Sequence, residues 1–196
     1  MNDDVVDVRP VRKPDKHPTI FAAYNALECG ESFVLVNNHD PLHLHEEFED
    51  EYAGSYEWDY LESGPRVWRI EIRKLTSTPL PRLLCNSALV TAADADATGA
   101  AWKLQTRERD LDSNIIRLPP TGTIGRHTGP DVDVLVHVLS GTGELTTENG
   151  ALALTPGALV WLPRRSSRQF TAGSDGISYL TVHQRRQALT LTTRSA

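Results

Sequence analysis

Cysteine is nearly absent from this 196-residue chain, which holds only Cys29 and Cys85. The two thiols are far apart and form no Cys-x-x-Cys pair. A disulfide framework is therefore not expected, and reduced thiols in a cytosol are the simple reading. Long apolar runs are missing too, since no stretch approaches the roughly 18 apolar residues of a membrane span. The opening MNDDVVDVRP is acidic and has no apolar core of the kind a signal peptide needs. Excess positive charge is also lacking: the formal net charge of -6 argues against general nucleic-acid binding. The expectation is a soluble, cytoplasmic protein with neither a nucleic-acid nor a membrane partner.

What is present is ordinary globular chemistry, 39% hydrophobic and 23% charged residues. The length suits one or two domains. Residues 1–75 read as alternating strand and helix. A short strand over Val5–Val8 is followed by a helix opened by Pro18 and stopped at Gly30, with Ile20, Phe21, Tyr24 and Leu27 at helical spacing. Ser32–Val36 is a buried strand. Asp40 and Pro41 have the residue types of an N-cap and a first helical position, which predicts a second helix. Two alternating runs, Tyr56–Leu61 and Val67–Ile72, flank the turn Ser63-Gly64-Pro65 and predict a hairpin. The order β-α-β-α-β-β implies a two-layer α/β sandwich.

Residues 76–100 hold Pro79, Pro81 and the small, acidic run TAADADATGA, and read as a linker with a short helix near Leu83–Ala88. From residue 101 onward the texture is all-β, with short apolar runs between Gly, Pro, Asn and Ser turns. The expected fold class is α+β, an N-terminal sandwich followed by an all-β domain over 101–196.

Within the second domain, GRHTGPDVDVLVHVLSGTGEL and LTPGALVWLPRRSSRQF resemble the two motifs of the cupin superfamily, over roughly residues 102 to 187. That resemblance implies a jelly-roll barrel, commonly a homodimer, with a divalent metal (iron, zinc, copper or manganese) held by His-x-His, a Glu and a further His. Placed residue by residue, the first ligand is His127 and the second falls on Gly129. The carboxylate falls on Asp133 or Val134, and the last His on Arg168. His137 and His183 are candidate replacements, each in an expected strand, so His127, Asp133, His137 and His183 form the candidate metal set of this domain. Arg168 at a former ligand position, with Arg164 and Arg165 nearby, suggests instead a pocket for an anion held by guanidinium groups.

Residues 5–75 resemble domain of unknown function 2249 through DVRP, HPTIFAAYNAL, GESFVLVNNHDP and WRIEI. Its layout is similar to the sulfur-carrier proteins, which place a reactive Cys-Pro-x-Pro at the start of the first helix. Here His17-Pro18-Thr19-Ile20 stands in that place, and Cys29 lies at the other end of the helix, so a persulfide relay is not expected. His17 and His39 each precede an expected helix at the same end of the sheet, with His43 one turn further on, and these three are a second candidate metal site. Between Asp40 and Glu62 there are nine acidic residues and no Lys or Arg, a candidate face for a basic protein partner if Tyr56, Trp58 and Tyr60 are exposed. Domains of this family also occur joined to hemerythrin-like modules, which by analogy points to metal, redox or nitrogen-oxide biology.

Taken together, the residues favour a non-catalytic binding or sensory protein that takes a metal ion or a small anionic ligand. The alternatives are a metal-dependent, dioxygenase-like cupin enzyme using His127, and a structural adaptor that dimerises through its cupin half.

Overall fold

The computed structural model describes residues 4–92 and 98–185. It divides into two units, Met1–Arg82 and Leu83–Ala196. Residues 93–97 of the expected linker, and everything after residue 185, lie outside the described residues. No helix among the described residues is long and apolar enough to cross a membrane.

The first unit runs β1 (Asp4–Asp7), α1 (Lys13–Ala26), β2 (Ser32–Asn37), α2 (Leu42–Tyr52), β3 (Tyr56–Ser63) and β4 (Trp68–Lys74). Its sheet has the order β1-β2-β4-β3. Strand β1 is parallel to β2, as the intervening helix requires, and the remaining pairs are antiparallel. Alternation along β2 and β4 sends Phe33, Leu35, Ile70 and Ile72 to the helix side, where they meet Ile20, Tyr24, Leu44 and Phe48. Tyr24 donates its hydroxyl to the Ser55 carbonyl at 2.9 Å, which satisfies the polar end of a buried ring; burial pushes its phenol up to about 12.

Both helices begin where the capping signals did not place them. α1 starts at Lys13, not at Pro18, because Pro14 already supplies a first-turn proline and Asp15 sits in the first turn, bonded by Arg12. Pro18 lies inside the helix, where the hydroxyl of Thr19 donates to the Asp15 carbonyl. α2 has Pro41 at its N-cap position and no side-chain cap. Asp40, expected to cap it, instead accepts a hydrogen bond from the Tyr60 hydroxyl at 2.9 Å.

The C-terminal ends of both helices are covered from a distance. Neither has a basic residue in its last turn. Lys74 of β4 donates to the carbonyls of Asn25 and Leu27 and lies over the Tyr24 ring. Arg82, within the stretch read as linker, donates to the carbonyls of Asp50 and Glu51. Arg82 thereby falls within the first of the two units.

The second unit contains α3 (Ser87–Ala92), β5 (Gly99–Lys103), β6 (Leu111–Leu118), β7 (Thr123–Thr128), β8 (Val134–Thr147), β9 (Gly150–Leu154), β10 (Leu159–Leu162) and β11 (Ser167–Gln184). The long strands β8 and β11 each run through two half-sheets. One half is β10-β8-β11-β6-β5. In the other, β7 pairs with the first part of β11 and β9 with the last part of β8. The bend between them is built from glycine. Gly141 and Gly176 have φ of +72° and +74°, and a Cβ on Gly141 would stand 2.2 Å from the Gly176 carbonyl oxygen.

Val134, Val136, Val138 and Tyr179 of one half face Leu145, Leu154, Phe170 and Ala172 of the other across a single apolar core. Phe170 and Tyr179 stack with centroids 5.0 Å apart. The double layer matches the expected jelly-roll, left open at its edges among the described residues. Among the described residues no strand pairing joins the outer edges of the two half-sheets.

Candidate functional site

In antiparallel strands directly paired residues share a face, so the register of β11 assigns each candidate side chain to the core or to the outside. Arg168 pairs with His127 on β7, and Phe170, two residues on, pairs with Ile124 and Leu145. Phe170 belongs to the core, so Arg168 points inward, and it is only 4% exposed.

The surroundings of Arg168 are unusual for a buried cation. Its Nε donates to the Ser166 carbonyl at 3.2 Å. Its Nη2 donates to the Pro163 carbonyl at 3.0 Å and to Ser166 Oγ at 2.8 Å. Those bonds use every proton on Nε and Nη2. Nη1 has no hydrogen-bond partner and no carboxylate pairs with the guanidinium among the described residues. Burial disfavours its charged form and lowers its pKa, but an arginine stays protonated. Buried charges are ordinarily paired, and Nη1 is the corner of this guanidinium that keeps contact with solvent, because the fully buried side-chain atom left without a partner among the described residues is Trp58 Nε1.

Only His127 of the expected metal set lies beside Arg168. Its Nδ1 is bonded to the Gly125 carbonyl at 2.9 Å. Asp133 turns away, accepting the backbone N–H of Arg164 at 2.8 Å, and so braces the 163–166 turn from outside. His137 stands between Val136 and Val138, both core residues, and therefore faces outward, paired with Leu159 on β10. His183 is on the core side but pairs with Val134, at the opposite end of β11 from Arg168, and its Nδ1 is bonded to the Gln184 carbonyl. Arg164 and Arg165 do not join Arg168. They are exposed, Arg165 holds Asp131 at 2.9 Å and lowers its pKa, and Arg164 lies 3.9 Å from Asp133. The expected cluster of three arginines reduces to one.

Residues at the cupin ligand positions do not fit a divalent metal. Gly129 has no donor side chain, Val134 is in the apolar core, and Arg168 is itself a cation. A Cβ on Gly129 would stand 2.0 Å from Nη2, 2.3 Å from Cζ and 2.7 Å from Nε of Arg168. The guanidinium thus fills the space where a side chain at 129 would be. The significance of Gly129 was visible in the sequence only as a missing ligand. Its contact with Arg168 depends on the pairing of β7 with β11, which no local pattern reveals.

In the first unit the three expected histidines do not converge. His17 Nδ1 is 3.0 Å from Glu47 Oε1, His39 Nδ1 is 2.8 Å from Asn38 Oδ1, and His43 Nδ1 is 3.1 Å from Glu46 Oε2. Because α1 begins at Lys13, His17 lies within the helix, facing α2, rather than in a loop before it. Among the described residues no group of three or more His, Cys, Asp or Glu side chains could hold a metal ion. His45, which no sequence motif marked, stacks on Trp58 with centroids 4.4 Å apart. The acidic stretch is partly used internally as well. Tyr56 is 8% exposed and donates to Glu49 at 2.7 Å, and Trp58 packs against Phe48, which leaves Tyr60 as the exposed aromatic of that run. Burial, and next the Glu49 bond, push the Tyr56 phenol above its ordinary range.

Residues 5–74 match the family described as uncharacterized conserved protein (DUF2249). The match covers the first unit and stops before Arg82. The second unit is similar in fold to cupin proteins. A cupin protein from Bacteroides fragilis is similar over 47% of this chain and 83% of its own, at 20% identity and a TM-score of 0.39. A cupin-2 domain containing protein from Shewanella frigidimarina is similar over 52% of this chain and 95% of its own, at 14% identity and a TM-score of 0.42. A structure described as a sugar phosphate isomerase from a cupin superfamily, from Silicibacter pomeroyi, is similar over 41% and 54%, at 25% identity and a TM-score of 0.38. No curated protein matches the chain.

Proposed function

We propose that the chain is a binding protein whose second unit takes a small anionic ligand, a carboxylate or a phosphate, on the guanidinium of Arg168. One observation carries this reading: a 4% exposed arginine with no carboxylate and with both Nη1 protons unpartnered among the described residues. An anion accepting from Nη1 would supply the missing charge, and such charge-assisted bonds are roughly twice as strong as neutral ones. His127, directly across the strand pair, is the residue best placed to sense the occupant. A sensory or regulatory role fits this geometry better than metal-dependent oxidation, because the ligand positions of a cupin metal centre are not furnished.

Calorimetric titration of the full chain with acetate and with inorganic phosphate tests the reading. Saturable binding of one of them, weakened tenfold or more in Arg168→Met, is the expected result. Binding that is unchanged in Arg168→Met, or no binding of either ion, would remove it.

We also propose that the chain self-associates through the outer face of β8 and β10. There Leu135 pairs with Trp161 and His137 with Leu159, and Trp161 and Leu159 are 65% and 66% exposed. Large apolar side chains grouped on a short edge strand favour a partner surface over solvent.

A further inference from the structure

We infer that Gly129 and Arg168 form one interlocked pair that opens this site to anions and closes it to divalent cations. The ligand half of the inference rests on the anion reading above; the interlock rests on the contact itself.

Glycine at 129 is not demanded by the backbone. Its φ lies outside the left-handed range, unlike those of Gly141 and Gly176, so an L-residue could adopt its conformation. What excludes a side chain there is the guanidinium plane, three of whose atoms lie within 2.7 Å of the position a Cβ would occupy. The plane cannot slide away cheaply. Its Nε and Nη2 are fixed to Ser166 and Pro163, and the N–H of Gly129 donates to the same Ser166 carbonyl at 3.0 Å. The turn at 163–166, Gly129 and Arg168 are thereby tied at one carbonyl. Losing the second histidine and gaining the arginine are one structural change: the arginine fits only over a glycine.

The consequence for specificity is electrostatic. A divalent ion beside His127 would lie next to a guanidinium fixed by three hydrogen bonds, and like charges repel. An anion at the same place is attracted by that charge and meets two unused protons on Nη1.

A double-mutant cycle in the full chain tests the interlock. Gly129→Ala should lower the thermal midpoint by roughly 5 °C or more, and the same substitution in an Arg168→Ala background should cost far less. If Gly129→Ala does not fold alone, its recovery by Arg168→Ala supports the interlock and failure to recover overturns it. Equal effects in both backgrounds also overturn it.

The cation half is read by zinc titration followed by calorimetry. The wild type should bind no zinc at His127. Gly129→His combined with Arg168→His should bind about one equivalent, lost on adding His127→Ala. Stoichiometric zinc in the wild type that His127→Ala abolishes would overturn the exclusion, as would a folded double variant that takes up none. An additive cycle removes the interlock whatever acetate and phosphate do. An intact cycle with neither ion bound removes only the proposed ligand.

Discussion

Asp7 shows how a motif residue acquires its chemistry. In the DVRP run its carboxylate accepts from the backbone N–H of Arg9 at 3.0 Å and from Nε and Nη2 of the same side chain. The Arg9 hydrogen bonds hold its pKa down at about 2, against an ordinary 3.8. A depressed carboxylate contributes stability above its unfolded pKa and loses it as pH falls through the folded one, so this pair should help the fold above about pH 4 and fail near pH 2. Both side chains are more than one third exposed, and the worth of the pair is correspondingly small. Carbonyl-carbon NMR during acid titration should place Asp7 near 2 in the wild type and near 4 in Arg9→Ala. An unmoved Asp7 midpoint in that variant would show that Arg9 is not the cause. Arg168 is the opposite case. There, among the described residues, a cation lacks the carboxylate that Arg9 has, which is the ground of the proposed anion site.

Among the elements, α2 has the least favourable sequence for its position. Glu49, Asp50 and Glu51 crowd its C-terminal turn, where the helix dipole disfavours negative charge. Arg82 compensates by donating to the last carbonyls from outside the helix. Arg82→Ala should therefore destabilise the first unit by about 1 kcal/mol and speed amide exchange at the end of α2. Exchange unchanged there would mean that the helix needs no such cap. This contact was not legible in the sequence. Proline and low periodicity mark 76–82 as linker, whereas its role depends on one long side chain reaching back about thirty residues. The strands were legible because their apolar runs are short and bounded by turns. Helix starts were not, because two prolines four residues apart, Pro14 and Pro18, both suit a first turn, and Asp40 had a second use as the acceptor for Tyr60. The face of His137 was equally hidden, since a shift of one residue in register would have turned it inward.

For the whole molecule, the first unit has a closed aromatic-aliphatic core and the second a double layer bent at glycines, with one arginine turned inward. The candidate site was half legible. The sequence marked Gly129 and Arg168 as departures from a metal motif, while their contact is a property of strand pairing and the outward placement of Asp133, Arg164 and Arg165 is a property of the turns that hold them. Self-association belongs to this scale. Sedimentation should find a dimer for the wild type and a monomer for Trp161→Glu, and a wild-type monomer would remove that reading. The central claim is that Arg168 is a buried cation awaiting an anion. The most direct measurement is the arginine side-chain nitrogen NMR spectrum of the full chain during titration with acetate and phosphate. The expected result is a saturable shift of the Arg168 guanidinium with one of these ions, His127 moving in step and Arg164 and Arg165 staying still. An Arg168 signal that does not respond to either ion would contradict it.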